Sequence, residues 1–260
     1  MYFEEIKRGE LVYRTAENLG APNAFSTRMS GFSREKHLFS LNFAYGKGDS
    51  DLTVDKNYAL FLSSIGIDPE NRVSGEQVHS ANVRTVQISD AGICFPATDG
   101  LVTRDRNLAL IIKTADCAPV LLCDPENHVI GALHCGWRGT VSGIARAGVE
   151  AMKALGADVS KIRVAIGACI HSCCFEVKED FIDSLKSMAG ADFAEKHVTL
   201  KDNKTFADLV GMNLELLESA GILAENICAD TECTCCRPDL YFSHRASRGH
   251  RGVMCSVIYQ

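Results

Sequence analysis

Three side chains that bind soft metal ions stand at or near the ends of apolar segments: His79, Cys117 and His134. Two imidazoles and one thiolate suit Zn²⁺, and three protein ligands leave the fourth tetrahedral position open to water or substrate, as in catalytic zinc sites. The three residues lie too far apart along the chain to form a short zinc-ligand motif. Their types therefore permit a catalytic zinc site, but their spacing does not establish one.

The same residues permit a second chemistry. A cysteine thiolate beside an imidazole is a nucleophile for covalent catalysis, so a hydrolase that uses Cys117 and His134 competes with the zinc hypothesis. Asp116, which precedes the cysteine, is expected either to orient a metal ligand or to act as an acid–base group. Each histidine taken alone is also a common structural residue. The residues by themselves leave these alternatives open.

The elements that must position these side chains follow from the pattern of apolar residues. Three runs rich in β-branched and aliphatic residues predict buried strands: 108–112, 119–122 and 129–133. A polar turn at 124–127 joins the last two. Cys117 and His134 then lie at strand ends, where a rigid scaffold usually presents its reactive groups.

The rest of the chain predicts a mixture of strands and helices. Strands are expected at 11–13, on either side of a bend within 73–88, and at 161–170, 227–228, 240–243 and 253–258. Amphipathic helices are expected at 52–65, 140–155, 176–188 and 205–219. The sequence contains no repeat, linker or low-complexity segment. It therefore predicts a single α+β domain over residues 1–260.

Composition excludes several classes of protein. The chain has 260 residues, of which 46% are hydrophobic and 23% charged, as in ordinary globular proteins. Its net charge of −6 gives no broad attraction to nucleic acid or to an anionic membrane. The first residues lack the features of a signal peptide, and no apolar run approaches the roughly 20 residues that span a bilayer. We therefore expect a cytoplasmic protein without nucleic-acid or membrane partners.

Twelve cysteines are present. In a long chain without an export signal they do not predict a disulfide framework. Several of them, including Cys123 and Cys255, lie in apolar segments and are interpreted as small hydrophobic residues. Cys233 and Cys236 form one Cys-x-x-Cys pair, and a single such pair is weak evidence of another zinc site.

Several segments together closely resemble the YfiH family, also known as the laccase-domain family. They are QVHSANV (77–83), DGLVT (99–103), TADCAPVLL (114–122), HCGWRGT (134–140) and IGACIHSCCFEV (166–177). The end segments FSTRMSG (25–31), LNFAYGKGD (41–49) and CTCCRPDLYFSHR (233–245) extend the likeness over nearly the whole chain. The combination of HCGWRG with ADCAPVLL is highly specific. Cys135 and His171 depart from the residues that the family usually has at these positions.

The resemblance implies a fold, a metal site and an activity. The fold is a mixed β-sandwich with helices packed outside, related to the catalytic domain of bacterial deamidating toxins. The metal ligands carry over to His79, Cys117 and His134, with zinc as the metal. The family's activities are phosphorolysis of adenosine, inosine or methylthioadenosine to base and ribose 1-phosphate, and deamination of adenosine. For the deamination, zinc with an open position would activate a water for attack on C6 of the purine.

Two further activities are considered. A Cys-His amidase or an enzyme that edits peptidoglycan precursors remains the alternative, because the toxin-like fold and the Cys117–His134 pair permit it. Polyphenol oxidation, an older label of the family, ranks third. Multicopper centres use many imidazoles from paired His-x-His motifs, whereas this chain has eight histidines and no His-x-His. Adventitious Cu²⁺ could still displace Zn²⁺ in vitro and give weak oxidase activity.

Phosphorolysis also requires a basic pocket for inorganic phosphate. Arg138 precedes the helix predicted at 140–155, whose first backbone N–H groups could hold an anion. A salt bridge that caps the loop is the structural alternative for this arginine. Further substrate contacts are expected from residues in or beside the matching segments: Arg28, Asn42, Gln77 and Arg245. The sequence does not distinguish a monomer from a homodimer.

Overall fold

The computed structural model describes residues 3–260. The strands along the chain are β1 (Phe3–Arg8), β2 (Leu11–Ala16), β3 (Asn23–Ser26), β4 (Arg72–Gly75), β5 (Val83–Thr85), β6 (Cys94–Phe95), β7 (Gly100–Thr103), β8 (Ala109–Thr114), β9 (Ala118–Asp124), β10 (Val129–Cys135), β11 (Arg163–Ile166), β12 (Glu176–Val177), β13 (Val198–Lys201), β14 (Lys204–Ala207), β15 (Ile227–Ala229) and β16 (Met254–Tyr259). The α-helices are α1 (Asp51–Ser64), α2 (Trp137–Val141), α3 (Ile144–Ala154), α4 (Glu179–Ala189), α5 (Ala191–His197) and α6 (Leu209–Ser219). Within these described residues, no helix combines the length and the apolar character that crossing a membrane requires.

Two large sheets and one small one organise the strands. The first sheet has the order β1-β2-β3-β16-β8-β4-β6, and the second has the order β15-β11-β9-β10-β7-β5. Both are mixed. In the first sheet β1 and β2 pair antiparallel and β4 runs parallel to β8. In the second sheet β9 and β10 pair antiparallel, whereas β5 runs parallel to β7 and β15 runs parallel to β11. A third sheet, β12-β14-β13, lies among the C-terminal helices in the sequence. The result is a mixed α/β single domain.

The central strands are buried on both faces. Leu121 of β9 and Ile130 of β10 pack in one cluster with Leu110 of β8, so this cluster fills the space between the two large sheets. The alternate residues, such as Val120 and Leu133, belong to a second cluster with the apolar residues of α3, α4 and α6. Successive side chains of a strand point to opposite faces, so continuous burial of β9 and β10 requires cover on both sides.

The other face of the first sheet is covered by α1. Tyr58 and Phe61 of this helix pack with Ile111 of β8 and Val257 of β16 in a third cluster. Helices therefore lie outside both sheets, which confirms the predicted β-sandwich flanked by helices. The predicted strands at 108–112, 119–122 and 129–133 correspond to β8, β9 and β10, and the predicted helix at 52–65 corresponds to α1.

Some predicted elements are wrong. The helix predicted at 140–155 is two helices, because Gly143 takes a left-handed backbone (φ +91°) at the start of α3. The helices predicted at 176–188 and 205–219 begin at Glu179 and Leu209 instead, because the residues before them pair as β12 and β14. The expected strand at 240–243 does not form, because this segment is irregular apart from a turn that ends at Leu240. The two strands expected within 73–88 exist, but β4 and β5 belong to different sheets.

Candidate metal centre and pocket

The three predicted metal ligands meet at one end of the second sheet. Cys117 directly precedes β9, His134 is the penultimate residue of β10, and His79 lies in the loop between β4 and β5. Antiparallel pairing of β9 and β10 sets Pro119 opposite His134, so the start of one strand lies beside the end of the other. One potential ligand atom from each of the three residues lies within 4.8 Å of the other two.

A buried carboxylate, that of Asp99, orients His134. Gly100 is opposite Leu133 in the β7–β10 pairing, which sets Asp99 beside the histidine. The backbone N–H of His134 donates to the Asp99 carbonyl at 2.7 Å, and Nδ1 of its ring lies 2.8 Å from Oδ1 of Asp99. A carboxylate at Nδ1 favours the proton on that nitrogen and leaves Nε2 free to bind a metal.

The same carboxylate positions the loop that carries His79. It accepts hydrogen bonds from the backbone N–H groups of Val78, His79 and Ser80, at 3.1, 3.0 and 2.8 Å, and from the Ser80 hydroxyl at 2.7 Å. His79 itself has a left-handed backbone (φ +62°), which is uncommon for a residue with a side chain. One side chain, Asp99, therefore holds two of the three candidate ligands.

A glycine allows the donors to converge. A Cβ atom at Gly136 would lie 2.6 Å from Nδ1 of His79 and 3.1 Å from Sγ of Cys117. The first of these distances is closer than carbon and nitrogen can approach without displacement. Only glycine therefore lets the chain that leaves β10 pass beside both ligands. The donor types, their convergence and the fixed orientation of His134 all fit a metal ion bound by two imidazoles and one thiolate.

The pKa values of Cys117 and His134 are shifted because these side chains lie close to each other and to their neighbours. Burial alone would raise the pKa of the Cys117 thiol, but hydrogen bonds with His134 and His79 outweigh burial and lower this pKa to about 6. Burial would lower the pKa of His134, but its bonds to Asp99 and Cys117 raise it to about 9. In the metal-free protein at neutral pH, Cys117 is therefore a thiolate beside an imidazolium.

A cavity of about 320 Å³ opens over this cluster. His79 and Cys117 line it together with two aromatic rings and three arginines: Trp137, Phe175, Arg138, Arg245 and Arg251. Ala115, Asp116, Ile170, Leu209 and His244 complete the polar and apolar lining. The candidate metal site thus faces a pocket that offers flat apolar surfaces and positive charge.

Asp116 lies on the wall of this pocket, and its hydrogen bonds go to neighbouring loops rather than to a histidine. Its Oδ1 accepts from the Thr234 hydroxyl and its Oδ2 accepts from the backbone N–H of Arg245, both at 2.7 Å. The carboxylate that contacts the ring of His134 is that of Asp99, not Asp116. The structure places Asp116 where it joins two segments of the pocket wall.

Arg138 and Arg245 line the pocket, as expected. The guanidinium of Arg138 stacks 4.4 Å from the centre of the Trp137 ring, within the first turn of the short helix α2. The N–H of Thr140 donates to the carbonyl of Gly136 at 2.9 Å and is not free to hold an anion. The side chains of Arg138, Arg245 and Arg251 bring positive charge to the pocket lining.

The structure does not bring Asn42 or Gln77 into the pocket. Asn42 is fully buried, and its amide donates to Asp49 at 2.8 Å. The side-chain amide of Gln77 donates to the carbonyl of Lys113 at 2.7 Å and accepts from its N–H at 2.8 Å. Both side chains therefore hold loops next to the site.

Arg28 lines a neighbouring cavity of about 490 Å³. Its guanidinium donates to the carbonyls of Phe39 and Pro238, at 2.7 and 3.0 Å, and lies 4.4 Å from the centre of the Phe242 ring. Arg251 lines this cavity as well as the pocket above the metal cluster, so the two spaces adjoin.

Sequence reasoning missed Asp99 and Arg251 as residues of the site. Asp99 opens the DGLVT segment, but its contact with His134 depends on the pairing of β7 with β10. Arg251 lies between His250 and Gly252 without a motif that marks its burial. The two departures from the usual pattern, Cys135 and His171, are outside the pocket lining. Cys135 is fully buried against the helices on the outer face of its sheet.

The fold is an α/β sandwich in which two histidines and one cysteine that could hold a metal ion converge at one end of a sheet and face a pocket. Comparisons with known proteins identify its family. The family described as multi-copper polyphenol oxidoreductase laccase matches residues 22–260, and the chain belongs to this family. The crystal structure of YlmD from Geobacillus stearothermophilus superimposes with a TM-score of 0.91 at 30% identity, and covers 99% of this chain and 98% of that one.

Two named relatives are also similar to this chain over nearly their whole length. A purine nucleoside phosphorylase from Deinococcus radiodurans is 35% identical over 243 residues, which is 94% of this chain and 90% of that protein. The adenosine deaminase RL5, from an unknown prokaryotic organism, is 30% identical over 255 residues, or 94% of this chain and 96% of that protein. These relatives support an enzyme of this family.

Proposed function

We propose that this protein is a zinc-dependent purine nucleoside enzyme. It cleaves adenosine, inosine or methylthioadenosine with phosphate to the free base and ribose 1-phosphate, and it also deaminates adenosine. One observation carries the proposal: His79, Cys117 and His134 converge within 4.8 Å at a pocket that also holds aromatic rings and arginines. The names of the relatives from Deinococcus radiodurans and of RL5 support the same two activities.

Zinc held by His79, Cys117 and His134 would supply Lewis acidity and an activated water at its open position. The residues around it bind and orient the substrate. Trp137 and Phe175 both pack against Phe181, with ring centres 4.7 and 5.6 Å from it, so their rings are fixed walls. Aromatic rings of this kind provide a stacking surface for the flat purine base.

Phosphate is assigned to the arginines of the pocket. Nε of Arg251 is buried and has no hydrogen-bond partner among residues 3–260. An unpaired buried donor of this kind is unfavourable unless a ligand accepts from it. A phosphate oxygen is a suitable acceptor, because guanidinium groups bind phosphate with two parallel hydrogen bonds. Arg138 and Arg245 add positive charge nearby. In phosphorolysis a phosphate oxygen then bonds to C1′ of the ribose while the purine leaves with the bond electrons.

A second candidate function rests on the same cluster. The lowered pKa of Cys117 gives a thiolate next to His134, which is the arrangement of a Cys-His hydrolase or amidase. Such an enzyme could edit peptidoglycan precursors, and it would need no metal. In contrast, a multicopper oxidase is not proposed, because eight histidines without a His-x-His pair do not supply its centres.

Product analysis separates these functions. Purified protein of known zinc content is incubated with adenosine, and separately with inosine and with methylthioadenosine, once in phosphate buffer and once in phosphate-free buffer. We expect adenine and ribose 1-phosphate only when phosphate is present, and inosine with ammonia in both buffers. No turnover of adenosine, inosine or methylthioadenosine in either buffer would refute the proposed function.

A further inference from the structure

Four cysteines outside the pocket cluster come together near the surface, two of them exposed and one, Cys233, buried. Cys173 and Cys174 lie in the turn before β12, and Cys233 and Cys236 lie in a turn between β15 and β16. Their four sulfur atoms all lie within 4.8 Å of one another. The sequence suggested only the Cys-x-x-Cys half of this group, because the two turns are separated by about sixty residues along the chain.

The two turns are held side by side by the backbone. Cys169 forms an isolated bridge with Cys233, and the N–H of Thr234 donates to the carbonyl of Cys169 at 2.9 Å. The N–H of His171 points to Sγ of Cys233 at 3.5 Å. Such an N–H to sulfur contact stabilises a thiolate, the form in which cysteine binds metals.

The distances between the sulfur atoms distinguish two ways in which the cysteines could be joined. Sγ of Cys236 lies 3.6 Å from that of Cys173 and 3.4 Å from that of Cys174. A disulfide requires about 2.05 Å, and all of these cysteines are free. A tetrahedral zinc with Zn–S bonds of about 2.3 Å separates its sulfurs by about 3.8 Å. The observed spacing is therefore close to that of a four-thiolate site.

We infer that Cys173, Cys174, Cys233 and Cys236 bind a second zinc ion, in a closed site with a structural role. Four thiolates leave no open position, which is the arrangement of structural zinc, in contrast to the three donors in the pocket. The pair Cys233–Cys236 has the two-residue spacing common among such ligands.

This site would fix one wall of the pocket. Phe175 follows Cys174 directly, and the guanidinium of Arg245 donates to the carbonyl of Cys174 at 3.0 Å. Thr234, between two of the ligands, holds Asp116 through its hydroxyl at 2.7 Å. Zinc at the four cysteines therefore ties together the segments that present Phe175, Arg245 and Asp116 to the substrate.

The test uses the full chain with Cys117→Ser, which removes a ligand from the pocket site and leaves the four cysteines intact. Protein purified with zinc under reducing conditions is analysed for metal content and by X-ray absorption. We expect one zinc per chain with four sulfur neighbours at about 2.3 Å. Adding Cys236→Ser should remove this zinc, whereas adding Cys235→Ser, in the same turn but outside the four, should retain it.

The outcomes are unambiguous. No zinc in the Cys117→Ser protein, or zinc with nitrogen and oxygen neighbours only, would overturn the inference. So would a mass that shows a disulfide among the four cysteines under the same conditions. Because the measurement on Cys117→Ser alone is sufficient, misfolding of the Cys236 variant does not affect it. The result is also independent of the proposed function: if the pocket held no metal, the wild-type protein would contain this one zinc and still show four sulfur neighbours.

Discussion

Asp99→Asn should weaken metal binding in the pocket while keeping the shape of the side chain. The carboxylate of Asp99 is fully buried and meets five donors, four from the loop 78–80 and one from the ring of His134 at 2.8 Å. These hydrogen bonds, above all the one to His134, outweigh the effect of burial and hold the pKa of Asp99 below its usual range. An amide at this position carries no charge and presents an N–H₂ group to some of the donors.

Of these contacts, only the one with His134 would act directly on a metal bound in the pocket. Loss of a carboxylate that orients a ligating histidine typically weakens metal binding about 10- to 100-fold, which corresponds to about 1.4–2.7 kcal/mol. The contacts to the loop 78–80 contribute to folding, so the melting temperature should also fall. The assay is a zinc competition titration with a chelator, with the melting temperature measured beside it.

Asp124→Asn is the matched control. Asp124 is also fully buried and accepts backbone hydrogen bonds, from Glu126, Asn127 and Asp158 at 3.0, 3.1 and 2.8 Å, but it lies at the opposite end of β9. The substitution Asp124→Asn should lower the melting temperature and leave zinc affinity unchanged. Equal zinc affinity in the Asp99 variant and the wild type would refute the assigned role of Asp99, and equal weakening by both variants would show a general effect of destabilisation.

Three further predictions concern the same pocket. Gly136→Ala should weaken zinc binding by about tenfold or more, because its Cβ would displace His79; a chelator titration that gives wild-type affinity would contradict this. Arg138→Ala should raise the KM for phosphate about 10- to 150-fold, the effect of losing one charged hydrogen bond, and should spare deamination. Arg28→Ala, which lies outside this pocket, should leave both the KM for phosphate and deamination unchanged. Equal loss of both activities in Arg138→Ala would assign Arg138 to the nucleoside or the loop. In the metal-free protein, the rate at which Cys117 is alkylated should fall as the pH falls through about 6, because only the thiolate reacts. Peptide mass spectrometry measures this rate at each pH. A midpoint near the ordinary thiol pKa of about 8.5 would contradict the paired thiolate.

The sequence predicts those parts of the fold that depend on local pattern. The apolar runs of β8, β9 and β10 are long and continuous, and they are placed to within a few residues. In contrast, Glu176–Val177 and Lys204–Ala207 look like the first turns of amphipathic helices and become strands because they pair with each other. Gly143 argues against one continuous helix, since glycine inside a helix destabilises it by about 1 kcal/mol relative to alanine.

In the candidate site, too, the sequence marks individual residues but not the contacts between distant parts of the chain. The candidate metal ligands could be named because they lie in three segments that resemble a known family. The contacts that make them a site could not, because they join residues that are distant in the chain. Asp99 meets His134 only after β7 pairs with β10. Cys173 and Cys174 meet Cys236 only when the turns before β12 and before β16 lie together. Arg251, buried and unpaired at Nε among residues 3–260, is recognisable only in three dimensions.

The central claim is that Cys117 binds a metal on which nucleoside chemistry depends. The most direct test measures zinc content and adenosine phosphorolysis together in the wild type and in Cys117→Ser. We predict that the variant holds one zinc per chain fewer than the wild type and loses phosphorolysis at the same time. Unchanged zinc content with no turnover would contradict the claim, and would assign Cys117 the role of a nucleophile instead.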